Sequence, residues 1–296
     1  MAANLGPWSE HRPVDVPGTS TIDGRPVIGA RLRPVTGREE LLVADSLVAT
    51  SALTVADELL DRCVGALRMA DGIDEPAGGH LPALTVGDRE VLLLRLRQIT
   101  FGDVVELVVS CPDPTCAAPM DLRLDVDELC RPTTGPLAEV DARLALRIPT
   151  GADLAAVAGR ALDDPQGAAR ALALACMEPA DQAGPAGPDG TVADRVDDEL
   201  LDEVGELLSA LDPHADIELA LSCPECGHAF VAPVGAADLL RDELVVRRRD
   251  LDVEVHLLAR HYHWSEREIL DLPSDRRRRY VDVLSEVRPP AAQWES

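Results

Sequence analysis

The sequence predicts an α+β fold, mostly helical with small antiparallel β elements, and three observations carry that reading. Aromatic residues make up only 2% of the chain against an apolar share of 46%, so the core has to be built from Leu, Val and Ala. Apolar residues recur at helical spacing through most of the length, as in VLLLRLRQI and DLLRDELVV. A short apolar run leading into Ser-Cys-Pro is written twice, as ELVVSCPDPTC from Glu106 and as ELALSCPECGH from Glu218. Each copy is followed by another run of strand character, the pattern of a hairpin with cysteines at its tip.

Taken in order, residues 1–24 are rich in Pro and Gly without any period and read as a flexible arm. Residues 25–102 are expected to be mainly helical after a short strand in PVIGARLRPV. TGREELLVADSL and TVADELLDRCVGALRM have helical spacing, with Thr36 and Thr54 as N-caps. DGIDEPAGGHLPA reads as a loop. TVGDREVLLLRLRQITFG then forms a helix capped by Thr85, with Asp88 in its first turn and its end near Gly102.

Residues 103–235 hold the duplicated hairpins, a zinc-ribbon-like pair built from DVVELVVS with PMDLRLDV and from ADIELALS with AFVAPV. Between them come a strand candidate, ARLALRIPT, and two helices, GADLAAVAGRAL and PQGAARALALACM. A Pro/Gly-rich loop at 178–193 and an acidic amphipathic helix, VADRVDDELLDEVGELLSAL, complete the stretch. Residues 236–288 form a C-terminal helical region: a long helix from Ala236 to about Tyr262, a Ser265/Glu268 capping box, and a last helix over SDRRRRYVDVLSEV. Pro289 and Pro290 stop that helix, and 289–296 is a tail.

Net charge is -25, which disfavours a nucleic-acid backbone or an anionic membrane as the main partner. No apolar run approaches the roughly 20 residues that span a bilayer, and the N-terminus has no signal-peptide pattern, so a cytoplasmic protein is expected. In a reducing compartment, closely spaced cysteines point to metal ligation. Cys111 and Cys116 have four residues between them, Cys223 and Cys226 have two, and two such turns face to face make a cage of four sulfurs. A structural zinc ion on Cys111, Cys116, Cys223 and Cys226 is the expected occupant; a disulfide, unligated thiols and iron are the alternatives. Four sulfur ligands leave no position for water, so the site is not expected to be catalytic.

Other candidates read more plainly. His228 is expected to pack beside the second turn, with ligation as its alternative, and Cys130 reads as a small buried side chain, with a role as spare ligand as its alternative. Cys63 and Cys176 read as small buried side chains. His256, His261 and His263 lack metal-binding helical spacing. The arginine runs at 247–249 and 276–279 read as solvated helix faces, with docking on an acidic protein as the sharper alternative. In the long helix, Leu239, Leu240, Leu244, Leu251, Val255 and Leu258 form an apolar stripe, part core and part interface. No phosphate loop, nucleophile elbow or paired-acid constellation is present, and no enzyme is expected.

Five segments carry a resemblance to a known family: LRPVTGREELL, LLLRLRQITFGDVVELVVSCP, LRIPTGADLAAV, DIELALSCPECGHAFVAP and EVHLLARHYHWSEREILDLPSDRRRRYVDVL. Over roughly residues 27–287 the chain resembles the T-even-phage-type baseplate proteins, often labelled baseplate hub assembly chaperones, of phage-tail-like contractile injection systems. The resemblance implies that Cys111, Cys116, Cys223 and Cys226 occupy the family's ligand positions. It also implies a non-enzymatic assembly factor or accessory component whose partners are baseplate or hub proteins. The first turn departs from the pattern: CPDPTCAAP has two extra residues and lacks the glycine of CPECGH. The alternative function is a zinc-ribbon regulator that binds nucleic acid, which would need a continuous basic face.

Overall fold

The computed structural model of the protein describes residues 11–46, 52–131, 146–177 and 198–287. Its N-terminal part is built on an antiparallel sheet of β1 (Arg12–Asp15), β2 (Thr21–Ile22), β3 (Arg25–Leu32), β4 (Val64–Met69) and β5 (Asp74–Pro76). The strand order is β1-β3-β4-β5, with β2 also paired to β3. Val27, Ala30 and Leu32 of β3 and Leu67 and Met69 of β4 point into one core. Against them pack α1 (Gly37–Ser46), α2 (Ala52–Cys63), α3 (Val86–Phe101) and the first half of the long helix α8 (Ala236–Tyr262).

Several expectations change here. From Arg12 onward the supposed arm contributes two strands to the sheet: β1 pairs with β3 over its whole length, and β2 pairs with β3 as well. The expected helix TVADELLDRCVGALRM ends at Cys63, and VGALRM becomes β4. Glycine is a poor helix former, and at Gly65 an added Cβ would sit 2.6 Å from the His11 ring, so this residue serves close strand packing instead. The helix also starts two residues early, at Ala52, which puts Thr54 inside it rather than at its cap. Residues 25–102 are therefore sheet and helix together, and the loop after β4 contains β5 and a 3-10 turn at Leu81–Ala83.

Helix α3 runs through the centre. Val91, Leu92, Leu93, Leu94 and Leu96 are all buried, because the sheet, α2 and α8 enclose it. Thr85 caps it by accepting the Asp88 N–H, and Gly102, at φ 101°, ends it. The Asp88 carboxylate accepts N–H bonds from Gly18 (3.2 Å) and Ser20 (2.8 Å), which ties the segment before β2 to this helix. Asp212, after α7 (Asp198–Leu211), accepts the Gly87 N–H at 2.7 Å and pins a distant part of the chain to the same helix start.

Two separate two-stranded ribbons follow: β6 (Val104–Ser110) with β7 (Pro119–Asp125), and β8 (Glu218–Ser222) with β9 (Ala229–Pro233). Their alternation sets a buried or half-buried row, Val105, Leu107 and Val109 opposite Leu124, Leu122 and Met120, against an exposed row. Each ribbon runs on into a helix, α4 (Val126–Leu129) after β7 and α8 after β9, so the duplication extends past the strands. Between the ribbons stand α5 (Gly151–Ala161), with a Thr150/Asp153 capping box, and α6 (Pro165–Cys176), capped by Asp164. Within the described residues, ARLALRIPT forms no strand: Leu146 bridges Met177 and Thr150 bridges Thr85. The loop at 178–193 lies outside the described residues.

Helix α8, about 40 Å long at 1.5 Å per residue, spans from the main core to a second packing centre with α9 (Glu266–Leu270) and α10 (Ser274–Val287). Leu240, Leu244, Leu251 and Leu258 are buried, so most of the apolar stripe is core. Val246 and Val253 of this helix are exposed. The Ser265/Glu268 capping box forms as expected. Tyr262, Trp264 and Tyr280 pack edge and face at 4.9–5.6 Å between centroids.

The 276–279 run is not a uniformly solvated face. Arg277 is 1% exposed and donates to Glu40 of α1 at 2.5 Å, to Glu254 of α8 at 2.8 Å and to the Leu272 carbonyl at 2.6 Å. One guanidinium thus joins three helices far apart in sequence.

Candidate metal centre

The four expected cysteines come together. Cys111 Sγ lies 3.7 Å from Cys226 Sγ, and Cys116 Sγ lies 3.8 Å from Cys223 Sγ. All four sulfurs are within 4.8 Å of one another. Four thiolates at the zinc–sulfur distance of about 2.3 Å define a tetrahedron with edges of about 3.8 Å. These two separations, both between hairpins, match that edge. The sulfurs are therefore close enough to bind one metal ion, and two segments distant in sequence supply two ligands each.

The turns reach this placement by different routes. In the second, the Gly227 N–H donates to the Cys223 carbonyl at 2.8 Å, and Gly227 takes φ 75° to complete it. In the first, the extra residues move the anchor to Asp113, whose carbonyl accepts N–H bonds from Cys116 (3.0 Å) and Ala117 (2.9 Å). The Asp113 carboxylate also accepts from the Thr115 N–H (2.8 Å) and hydroxyl (2.7 Å), an Asx-type turn that stiffens the insertion. Ala117, at φ 46°, stands where the second turn has its glycine. At the base, the Cys111 N–H bonds to the Ala118 carbonyl as the Cys223 N–H bonds to that of His228, both at 2.9 Å.

Around the sulfurs is a small apolar nest of Met120, Val109, Ala118 and Phe230. Cys111 (4% exposed) and Cys223 (2%) are its floor, while Cys226 is exposed. Backbone N–H groups of Cys226 and Glu225 directed at the Cys223 sulfur lower that thiol to about 7. Burial pushes Cys111 up to about 12. Thiolate ligation must overcome that burial, and a cation among the four sulfurs is what does so in thiolate sites.

The remaining candidates fall elsewhere. Cys130 is buried in the main core, away from the four sulfurs, and is not a spare ligand in this arrangement. Burial raises Cys63 to about 12 and Cys130 to about 11, and raises Cys176 as well, as expected of structural thiols. His228 is exposed and stacks on Phe230 at 6.3 Å; it is outside the sulfur group. His256, His261 and His263 are exposed, and His263 closes α8 in the left-handed conformation. Sequence reasoning missed the anchoring role of Asp113, whose signal was the Asp-x-Thr spacing of an Asx turn.

Fold and site together define an α+β protein, largely helical, in which two ribbons offer four cysteines to one metal ion. A family model described as T4 bacteriophage base plate protein matches residues 19–184, more than half of the chain, and the protein belongs to that family. The match includes strands β2 to β5 of the sheet, the central helix and the first cysteine turn, and ends before the second. No curated protein and no solved structure matches the chain. Family membership assigns it a baseplate-related role among other baseplate proteins. No helix among the described residues is long and apolar enough to cross a membrane.

Proposed function

We propose that this protein is a non-enzymatic assembly factor or accessory component of the baseplate of a contractile, phage-tail-like particle, acting in the cytoplasm, and that a structural zinc ion staples its two ribbons. The observation that carries the proposal is the four-sulfur cluster, drawn from hairpins more than a hundred residues apart and spaced as tetrahedral thiolate ligation requires. Four protein ligands leave no exchangeable position, which suits a staple rather than a reaction centre. Thiolates favour zinc over calcium or magnesium.

The site reading is tested by elemental analysis with thiol titration of the purified protein. One zinc per chain and four thiols that become reactive only after chelation are expected; four freely reactive thiols with no bound metal would refute it. The role is tested by mass spectrometry of intact particles and of assembly intermediates from the parent cells. Recovery with baseplate or hub proteins is expected. A protein found alone and monomeric while particles assemble would remove the assembly role.

A further inference from the structure

Each cysteine ribbon has two strands and therefore two outer edges, and the register shows which backbone groups face them. The Cys111 N–H donates to the Ala118 carbonyl and the Val126 N–H to that of Asp103, one at each end of the first ribbon. Bonded pairs alternate along an antiparallel ladder, so Val105, Leu107 and Val109 are the β6 residues that exchange bonds with β7. The N–H and C=O groups of Val104, Glu106, Val108 and Ser110 point outward. Among the described residues, those of Glu106 and Val108 have no partner.

The four ribbon edges are not alike. Edge strands are ordinarily blunted by proline and charge. β7 starts at Pro119 and sets Asp121, Arg123 and Asp125 along its edge, and β9 ends at Pro233. β8 is shorter and has no β-branched residue. β6, VVELVVS, has four valines, one charge and no proline. Beside it lies a cleft of about 370 Å³, lined by Val105, Glu106 and Leu107, by no residue of β7, and across from them by α8. It therefore runs along the outer edge of β6, with Leu239 and Val246 as the apolar part of the facing wall. Val246 is 62% exposed. Glu106, Asp242 and Glu243 line the cleft together with Arg247 and Arg278, so charge selects no occupant; the unpaired backbone does. A strand edge facing a helix suits an extended segment, which lies about 4.8 Å from its neighbour and turns alternate side chains to opposite sides.

We propose that β6 and α8 together hold an extended segment of another baseplate protein, added to the first ribbon as a third strand. Val, Ile or Leu at alternate positions of that segment would pack on Leu107, Leu239 and Val246. That the partner is a baseplate protein rests on the proposed function; the extended form of the segment rests on the open edge of β6. A second copy of the chain would bring another net charge of -25 against the first.

The test places a photo-crosslinking amino acid, benzoylphenylalanine, at Val246 of the full chain in the cells that assemble the particle, and maps the adduct by mass spectrometry. The expected adduct joins position 246 to a stretch of a different baseplate protein with apolar residues at every second position. Val108→Pro takes away an edge donor without removing a bond to β7, and should lower the yield about tenfold with metal content unchanged. Val108→Thr changes the side chain, keeps the backbone donor, and should leave the yield as it is. If Val108→Pro fails to fold, Val108→Lys, at a position 64% exposed, sets a charge at the same edge and should lower the yield as far. An adduct to a second copy, to another part of the same chain, to nucleic acid or to a stretch without that alternation overturns the proposal. So does a yield indifferent to the edge variants, or no adduct. Continued co-purification with baseplate proteins in that last case would leave the proposed function standing without the strand site.

Discussion

Two clasps close this chain, one of sulfur and one of charge, and they differ in what each does when broken. The sulfur clasp joins the tips of two ribbons, of which the cysteines and a few apolar neighbours are the common packing. The charge clasp, Arg277 between Glu40 and Glu254, lies inside a packed centre where α1, α8, α9 and α10 already meet. The first joins ribbon tips, and the base of the Cys111 ribbon also packs on the main core through Val105, Leu107 and Leu124; the second removes a penalty among parts that pack in any case. Losing the first should free the two ribbon tips, whereas losing the second should lower the stability of the whole helical end.

The largest expected effect is metal removal. Thiolate zinc sites contribute on the order of 10 kcal/mol measured against an unfolded chain. Chelation should therefore lower amide protection most at the ribbon tips, around Val109–Met120 and Leu221–Phe230, while α3 stays protected, as read by hydrogen exchange. Uniform loss of protection would show that the main core depends on the clasp. Single ligand changes sharpen the point. Cys111→Ser places a hydroxyl beside Met120 and Cys223 and should cost about 1–2 kcal/mol more than Cys226→Ser at the exposed position.

Next comes the charge clasp. Arg277→Met leaves Glu40 and Glu254 buried without their cation, and the expected loss is about 3–5 kcal/mol in chemical denaturation. Adding Glu40→Gln should recover part of that loss, since it removes one of the stranded charges. Metal content should not change in either variant. If Arg277→Met cost nothing, the pairing would be incidental to packing and the contrast between the clasps would disappear.

The sulfur clasp was legible because its chemistry is written at fixed spacing: Ser-Cys-Pro appears twice, and only four cysteines come in close pairs. Helices with dense leucine and a capping residue, α3 above all, were equally readable. Arg277 was not, because a run of four arginines carries no mark of which member turns inward; the burial comes from α1 and α8, distant in sequence. VGALRM was misread for a related reason. Its helical spacing with the preceding residues is real, but pairing with β3 outweighs a weak local preference. Likewise Arg12–Asp15 looked like a free arm because a single short strand has no period to detect, and its partner lies across a turn.

Two turn-residue effects are smaller and act within the sulfur clasp. Gly227 has open space around an added Cβ, so Gly227→Ala should cost about 1 kcal/mol from its left-handed backbone alone. Asp113→Ala should cost a similar amount, about 1 kcal/mol, by removing the carboxylate that accepts both Thr115 bonds.

Ala117 carries the smallest prediction and the most specific one. It holds φ 46° next to Cys116, a conformation unfavourable to any residue with a Cβ and open to glycine. Ala117→Gly relieves that strain but also loosens the unfolded chain, and these effects oppose. The first should prevail, with a net gain of about 0.5 kcal/mol and no change in metal stoichiometry. Because the strain lies in the liganded turn, the gain should appear in chelator competition as tighter metal retention as well as in denaturation. The same variant in a chelated protein should show no gain, since the freed turn no longer holds Ala117 in that conformation. A gain that persists after chelation would mean that hydrogen bonds to Asp113, rather than the metal, impose the left-handed turn.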